Sequence, residues 1–286
     1  MKRVGALIAV VVIAGCGTLN GPRTGAISPP TDALARWQDF PADQSPRPIV
    51  LLCTDTPGQG FDTNEGKIAY LCGKFALSGQ LPVDVPKQSA ASWSDGTKVT
   101  FPAISADYAF AAMARNGPGS TMSECSTVPP LQVMSARFGV AGFQTDRGTA
   151  QMSAWLFTAS GARGEFAHPA VPSSAIWGGA KTPLSGTNGG TIDSSGLVLT
   201  FSFVGGPPDG PCAVSYVGVV AESPHAVAVA VQSSPGRVQA GPISCTAMGY
   251  FRSVAVKLAS VLAGRVVVDA SGDAVTVCLE AIRPNC

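Results

Sequence analysis

The chain has 286 residues, of which 45% are hydrophobic and 13% charged, and its formal net charge is +1. This share of apolar residues is enough for real cores, which argues against a disordered stalk. The near-neutral charge argues against nucleic acid or anionic lipid as an electrostatic partner. The 33 glycines and 23 prolines favour many turns and short strands over long helices.

The first 16 residues have the pattern of an export signal. Lys2 and Arg3 precede an uncharged, mostly apolar run over Val4–Ile13, which is followed by Ala14-Gly15-Cys16. The run is shorter than the about 20 residues that a membrane-spanning helix needs, and it suits the apolar part of a secretory signal. An ordinary signal peptide would also end in small residues, and Cys16 would then be incidental.

The string Ile13-Ala14-Gly15-Cys16 resembles the lipobox of bacterial lipoproteins. The resemblance implies that residues 1–15 are a signal peptide and that Cys16 becomes a lipidated N-terminus on the extracytoplasmic face of the cell membrane. Two acyl chains on this cysteine would supply the two anchors that stable membrane attachment requires. Loss of Lys2 and Arg3 with the signal would change the formal charge from +1 to −1.

The chain has eight cysteines, so lipidation of Cys16 would leave an odd number. An exported chain meets an oxidising environment, and disulfide bonds are therefore expected. The preferred pairs are Cys212–Cys245, and Cys53 with either Cys72 or Cys125. The chain has no C-x-x-C motif, and we expect no metal site at the cysteines. The candidates for three bridges and one free thiol are Cys53, Cys72, Cys125, Cys212, Cys245, Cys278 and Cys286.

Composition divides the exported chain into four parts. Residues 16–47 carry the lipidated cysteine and a tether rich in proline and glycine, in which the prolines oppose regular structure. Residues 48–178 are expected to form an α+β domain with one short helix. Residues 179–190 read as a glycine-rich linker. Residues 191–286 are expected to form an antiparallel β-sandwich or barrel, so the fold class is mainly β.

Two features of the first domain are well defined by the sequence. Ser105 can cap a helix over Asp107–Arg115, which Asn116-Gly117-Pro118 would end. Two apolar-bearing runs, Leu131–Gln144 and Thr149–Thr158, flank a polar turn with glycine and predict a β-hairpin. Both faces of the second strand are apolar. Two further strands are expected over the runs Ile49–Cys53 and Lys67–Leu77.

The second domain shows repeated strand signals. Leu197, Leu199, Phe201 and Phe203 share one face of a strand. Hairpin-like pairs of apolar runs flank short polar turns further along the chain. The remaining predicted strands are Val214–Ala221, Ala226–Val231, Val254–Leu258, Arg265–Asp269 and Ala274–Val277.

Three segments resemble exported lipoproteins that are common in actinobacteria. They are Thr145–Phe157, Leu197–Pro208 and Gly264–Gly272. The resemblance implies a secreted, cell-surface context. It implies no substrate, cofactor or site residue.

The chain lacks recognisable catalytic motifs. It has no G-x-S-x-G elbow, H-E-x-x-H motif or phosphate-binding glycine loop, and no catalytic residue, metal ligand or cofactor is assigned. His168 and His225 each neighbour a proline on a predicted turn, where a solvated loop histidine is favoured over a general base or metal ligand. Trp93 is the best exposed candidate for contacting a ligand, whereas Trp155 lies inside a predicted strand and is expected in a core.

These observations favour a membrane-anchored, non-enzymatic binding or interaction module of the cell envelope. Its partner would be an envelope protein, a wall component or a small ligand, and no nucleic acid. The alternative is an extracellular or cell-wall hydrolase whose site is built from dispersed acidic residues or histidine. A third hypothesis is a structural role, for which a large exposed apolar patch is expected.

We predict that Cys16→Ala moves the protein from the membrane fraction to the medium, because the variant has no thiol to carry the acyl chains. Immunoblots of the membrane fraction and of the medium measure this, with Val11→Leu as the control that keeps both the apolar run and the cysteine. Unchanged membrane fractionation of Cys16→Ala would contradict the anchor.

Overall fold

The computed structural model describes residues 23–24, 29–52, 58–115, 122–177, 184–235, 245 and 248–281. The expected signal peptide and the expected lipidation site at Cys16 lie outside the described residues, as do Cys53 and Cys286. Within the described ranges the chain is mainly β, in agreement with the sequence prediction. Its α-helices are α1 (Thr31–Ala35), α2 (Asn64–Leu71) and α3 (Ala106–Arg115).

The strands form two large sheets and two small pairs. The first sheet has the order β4-β7-β8-β5-β6, with β10 also paired to β8, and the second contains β1 and β12 to β18. The small pairs join β2 to β11 and β3 to β9. The bounds are β1 (Arg23–Thr24), β2 (Ile49–Val50), β3 (Gly60–Phe61), β4 (Phe75–Leu77), β5 (Gln88–Ser92), β6 (Lys98–Pro102), β7 (Leu131–Thr145), β8 (Gly148–Ala159), β9 (Ala162–Arg163), β10 (Phe166–Pro169), β11 (Ile176–Trp177), β12 (Leu184–Ile192), β13 (Val198–Gly205), β14 (Val214–Glu222), β15 (Ala226–Pro235), β16 (Tyr250–Lys257), β17 (Val266–Asp269) and β18 (Ala274–Leu279).

The predicted hairpin is present as β7 and β8. Its strands pair in antiparallel register until Thr145 faces Gly148, and Gly148 has a φ of +95° that suits glycine. Trp155 and Phe157 of β8 pack into one core, whereas Leu156 packs into another. Both faces of β8 are therefore buried, as the alternation of apolar residues indicated.

Helices α2 and α3 cover one face of the first sheet. Ser105 Oγ accepts a hydrogen bond of 3.2 Å from the Tyr108 amide, which confirms the predicted cap of α3. The expected strand over Lys67–Leu77 is wrong for its first part, which belongs to α2. Thr63 Oγ1 accepts from the Gly66 amide at 3.1 Å and caps that helix, a signal outside the apolar run.

The second sheet curls into a nearly closed barrel of seven strands. Its order is β14-β15-β17-β18-β12-β13-β16, and Gly218 of β14 lies against Val254 and Val256 of β16. Two pairings, β15 with β17 and β12 with β18, are parallel, so the barrel is mixed rather than purely antiparallel. The inward faces form one core, which includes Leu199, Phe201, Phe203, Val227, Val229, Val267 and Val275.

Residues 184–190, which were expected in the linker, form part of β12. This strand pairs with both β13 and β18. Gly190 explains why a glycine-rich sequence occurs there, since a Cβ atom at this position would lie 2.8 Å from the Thr200 carbonyl oxygen. Close strand packing, and not flexibility, accounts for this glycine.

The expected tether differs most from the structure. Residues 29–47 are folded against the barrel, with Trp37 and Phe40 buried. Trp37 Nε1 donates to the Gly272 carbonyl at 2.9 Å, and Arg36 forms an ion pair with Asp273. This packing could not be predicted from composition, because only a few apolar side chains contact the barrel. They lie on one side of α1 and the turn after it.

Two disulfide bonds lie within the described residues. Cys212 bonds to Cys245, the pair preferred from the sequence. Cys72 bonds to Cys125 and connects α2 to the segment after α3, so the preferred pairing of Cys53 with one of them is wrong. Cys278 is also disulfide-bonded and offers no free thiol.

We predict that Phe40→Ala lowers the free energy of unfolding by about 3 to 5 kcal/mol, because it leaves a cavity between Trp37, Trp177 and Arg47. Urea unfolding measures the loss, with the neighbouring exposed Gln38→Ala as the control. A loss below about 0.5 kcal/mol, equal to that of an ordinary surface substitution, would show that residues 29–47 do not belong to the fold.

Candidate functional site

The tip of the β7–β8 hairpin docks onto strand β18 of the barrel. The Val277 amide donates to the Asp146 carbonyl oxygen at 2.8 Å, and Thr276 Oγ1 donates to the Thr145 carbonyl oxygen at 3.0 Å. The Asp146 amide donates in turn to the Val50 carbonyl oxygen at 3.1 Å. The hairpin tip is thereby fixed between β2 and the barrel.

A buried ion pair completes this junction. Arg47 approaches Asp146 with two guanidinium nitrogens, Nη2 toward Oδ2 and Nη1 toward Oδ1, and the side chains are only 9% and 3% exposed. Arg47 Nε also donates to the Gly264 carbonyl at 2.6 Å, and its guanidinium lies 4.7 Å from the centre of the Phe40 ring. One side chain thus joins the N-terminal segment, the hairpin and the barrel.

The loop that accepts a hydrogen bond from Arg47 contains a residue with an unusual backbone conformation. Ala263 has a φ of +45°, a left-handed conformation that is uncommon for residues other than glycine. A Cβ atom at Gly264 would lie 2.1 Å from the Ala42 carbonyl oxygen. Glycine is therefore required where the N-terminal segment crosses this loop.

Arg147, the other central residue of the turn, lies over the face of Trp93. Its guanidinium carbon is 4.0 Å from the centre of the indole ring, and Trp93 Nε1 donates to Thr145 Oγ1 at 3.0 Å. Trp93 is only 5% exposed, so the expectation that it is an exposed ligand platform is wrong. The tryptophan instead supports an arginine.

The Arg147 side chain lacks the partners that its neighbours have. Its Nε is buried and has no hydrogen-bond partner, and within the described chain nothing bonds to Nη1 or Nη2. Burial lowers the pKa of this guanidinium, with a further lowering from Arg47, while the charges of Asp146 and Asp95 oppose the change. Arg147 is therefore a cation in a partly desolvated place without a bonded counter-ion.

A third arginine, Arg265, is fully paired. Its Nη1 donates to Glu222 Oε2 at 2.7 Å and its Nη2 donates to the Ser260 carbonyl at 2.7 Å. Burial raises the pKa of Glu222, but hydrogen bonds from the Ala259 amide and from Arg265 outweigh it, and the net direction is down. Glu222 thus stays ionised and neutralises Arg265.

These arginines surround a cavity of about 160 Å³ at the junction of the hairpin and the barrel. One part of its wall is polar and carries the arginines, and the other part is aliphatic and comes from the barrel. Its lining residues are Arg47, Asp95, Asp146, Arg147, Ile192, Leu262, Ala263, Arg265, Val267, Val277, Cys278 and Leu279. We take this cavity as the candidate functional site.

The two histidines lie away from this cavity. His168 is buried in strand β10, so the expectation of a solvated turn is wrong for it. His225 lies on the expected turn, and its Nδ1 is 2.7 Å from the Phe40 carbonyl oxygen. Neither residue is among the lining residues, and the structure does not bring them to the site.

Most residues that form the site were not predicted from the sequence. Arg47 was placed in the tether, and Asp146 and Arg147 were interpreted only as a polar turn. A polar turn of the sequence Thr-Asp-Arg-Gly does signal a hairpin tip, but nothing in it shows that the tip will be buried against another sheet. Trp93 was the one candidate close to the site, although in a supporting position.

Comparison with known proteins adds no assignment. No protein-family model, curated protein or solved structure matches the chain. In the ranges that the structure describes, no helix is long and apolar enough to cross a membrane. The same ranges contain no group of three or more His, Cys, Asp or Glu residues that could hold a metal ion.

We predict that Asp146→Asn lowers the free energy of unfolding by about 3 to 5 kcal/mol, because it leaves the Arg47 charge buried without a counter-ion. The matched control is Asp62→Asn, which breaks the exposed pair of Asp62 with Arg163 and is expected to cost less than about 1 kcal/mol. Equal losses for the two variants in urea unfolding would contradict the importance of the junction.

Proposed function

We propose that this protein is a lipid-anchored binding protein on the extracytoplasmic face of the cell membrane, and that it holds a small ligand in the cavity between its two sheets without converting it. The lipobox at Cys16 supports the location, and the disulfide bonds are in keeping with an oxidising compartment. The preformed cavity supports the binding role.

The bonding of the residues that line the cavity favours binding over catalysis. Asp146 is held by Arg47, Arg265 is held by Glu222, and Cys278 is in a disulfide bond. The described lining contains no serine, threonine, histidine or lysine. A nucleophile with an adjacent base, which covalent hydrolysis requires, is thus not found among these residues.

The alternative, a hydrolase, has one observation in its favour. Two carboxylates, Asp95 and Asp146, line the same cavity. Catalysis by such a pair requires two carboxyl groups that can both contact the substrate. Both oxygens of Asp146 are instead bonded to Arg47, and Asp95 accepts a hydrogen bond from the Thr97 amide at 2.8 Å. The binding role is therefore the better supported of the two.

The binding role predicts a ligand that stays with the protein during purification. Full-length protein solubilised from membranes in mild detergent is expected to show a non-covalent small-molecule adduct in native mass spectrometry. Leu279→Trp, at a half-exposed position in the cavity wall, should remove the adduct because the larger side chain fills the space. Val83→Trp, on an exposed loop outside the cavity lining, is the matched control and should keep it.

Two results would contradict the proposal. One is the same adduct-free spectrum for the wild type and for both variants. The other is chemical change of the released molecule when it is added back to the protein, since that would favour the hydrolase.

A further inference from the structure

We propose that the ligand of this cavity is a small monocarboxylate with a compact apolar body, and that the two terminal nitrogens of Arg147 bind its carboxylate as a fork. The proposal rests on the binding role proposed above and names the chemical class of the ligand. It follows from the bonding of Arg147, the charge balance of the cavity and the shape and chemistry of its walls.

Arg147 is the lining cation with free hydrogen-bonding capacity. Arg47 and Arg265 already donate to carboxylates and to backbone carbonyls. Around Arg147 no acceptor among the described residues meets Nη1 or Nη2, although the guanidinium is partly buried. A guanidinium has five donors in a planar arrangement, and two parallel hydrogen bonds to a carboxylate match that geometry.

Arg147 is also held in place before any ligand arrives. The Trp93 ring lies under the guanidinium at 4.0 Å, and the ring is fixed by its hydrogen bond to Thr145. The Arg147 amide donates to the same Thr145 oxygen at 3.1 Å. A cation that is positioned in advance loses less conformational entropy on binding, which favours affinity for a planar anion.

The charges of the residues around the cavity favour a ligand with a single negative charge. Asp146 neutralises Arg47, and Glu222 neutralises Arg265, so these pairs have no cation left for a ligand. Asp95 attracts Arg147 and opposes the lowering of its pKa, but Asp95 is exposed to water, and Arg147 is left as the lining arginine that no described carboxylate bonds. A monoanion matches one cation, whereas a phosphate dianion would be left with an unpaired charge in a partly desolvated site.

The aliphatic lining residues and the cavity volume favour a ligand with a small apolar part. Ile192, Leu262, Val267 and Val277 belong to the barrel core and face the cavity. The cavity volume, about 160 Å³, is close to that of an engineered protein cavity, of about 150 Å³, that binds benzene. A carboxylate at Arg147 would therefore place a ring or a short branched chain against aliphatic side chains.

The test uses benzoate as the probe, with benzamide as its neutral isostere and inorganic phosphate as a second anion. Isothermal titration of the detergent-solubilised full-length protein is expected to show saturable binding of benzoate. We expect Arg147→Gln to raise the dissociation constant at least about tenfold, because two charge-assisted hydrogen bonds are lost. Arg147→Lys should also weaken binding because it keeps the charge and loses the fork.

Arg163→Gln is the matched control, since Arg163 is an exposed arginine outside the cavity, and it should bind benzoate like the wild type. The Tm of each variant is measured first. If Arg147→Gln does not fold, Leu279→Trp tests the same site by filling the cavity, and it is expected to abolish binding of benzoate.

The outcomes separate the ligand class from the binding role. Equal affinity of the wild type and of Arg147→Gln for benzoate would overturn the proposed role of Arg147. Tight binding of benzamide or of phosphate in place of benzoate would overturn the carboxylate and leave the binding role standing. Absence of saturable benzoate binding, together with a purified adduct that is not a carboxylate, would likewise overturn the ligand class alone.

Discussion

The ion pair between Arg47 and Asp146 is the interaction on which the rest of this structure depends. A charge that is buried in this way is tolerated only when its counter-ion is held in place, because the cost of desolvation is not recovered otherwise. Arg47 meets that condition by contacting the ring of Phe40, the carboxylate of Asp146 and the carbonyl of Gly264 together. The N-terminal segment, the first sheet and the barrel therefore have one relative position in which this charge is satisfied.

That position also forms the cavity. The hairpin that carries Asp146 carries Arg147 as its next residue, so docking of the first residue brings the second to the wall of the cavity. Arg47 and Arg265 are paired with carboxylates of the protein. Arg147 lies over the ring of Trp93, and its guanidinium has hydrogen-bond donors that no described residue accepts. Asp146, which is paired within the protein, and Arg147, which we propose to bind the ligand, thus occupy adjacent positions of one turn.

Local patterns could be predicted from the sequence, and contacts between distant segments could not. The hairpin over β7 and β8 and the cap at Ser105 depend on neighbouring residues, and both were predicted correctly. Residues 29–47 and Trp93 were assigned wrongly because their burial depends on surfaces that lie far away in the sequence. Composition also misled at β12, where Gly190 allows close strand packing and does not mark a flexible linker.

A double-mutant cycle on Arg47 and Asp146 tests the central claim most directly. Urea unfolding would be measured for the wild type, Arg47→Met, Asp146→Leu and the double variant. We predict a coupling energy of at least about 2 kcal/mol, with the double variant more stable than either single variant because no unpaired charge remains buried. Additive losses, with a coupling energy below about 0.5 kcal/mol, would show that this pair does not hold the two sheets together.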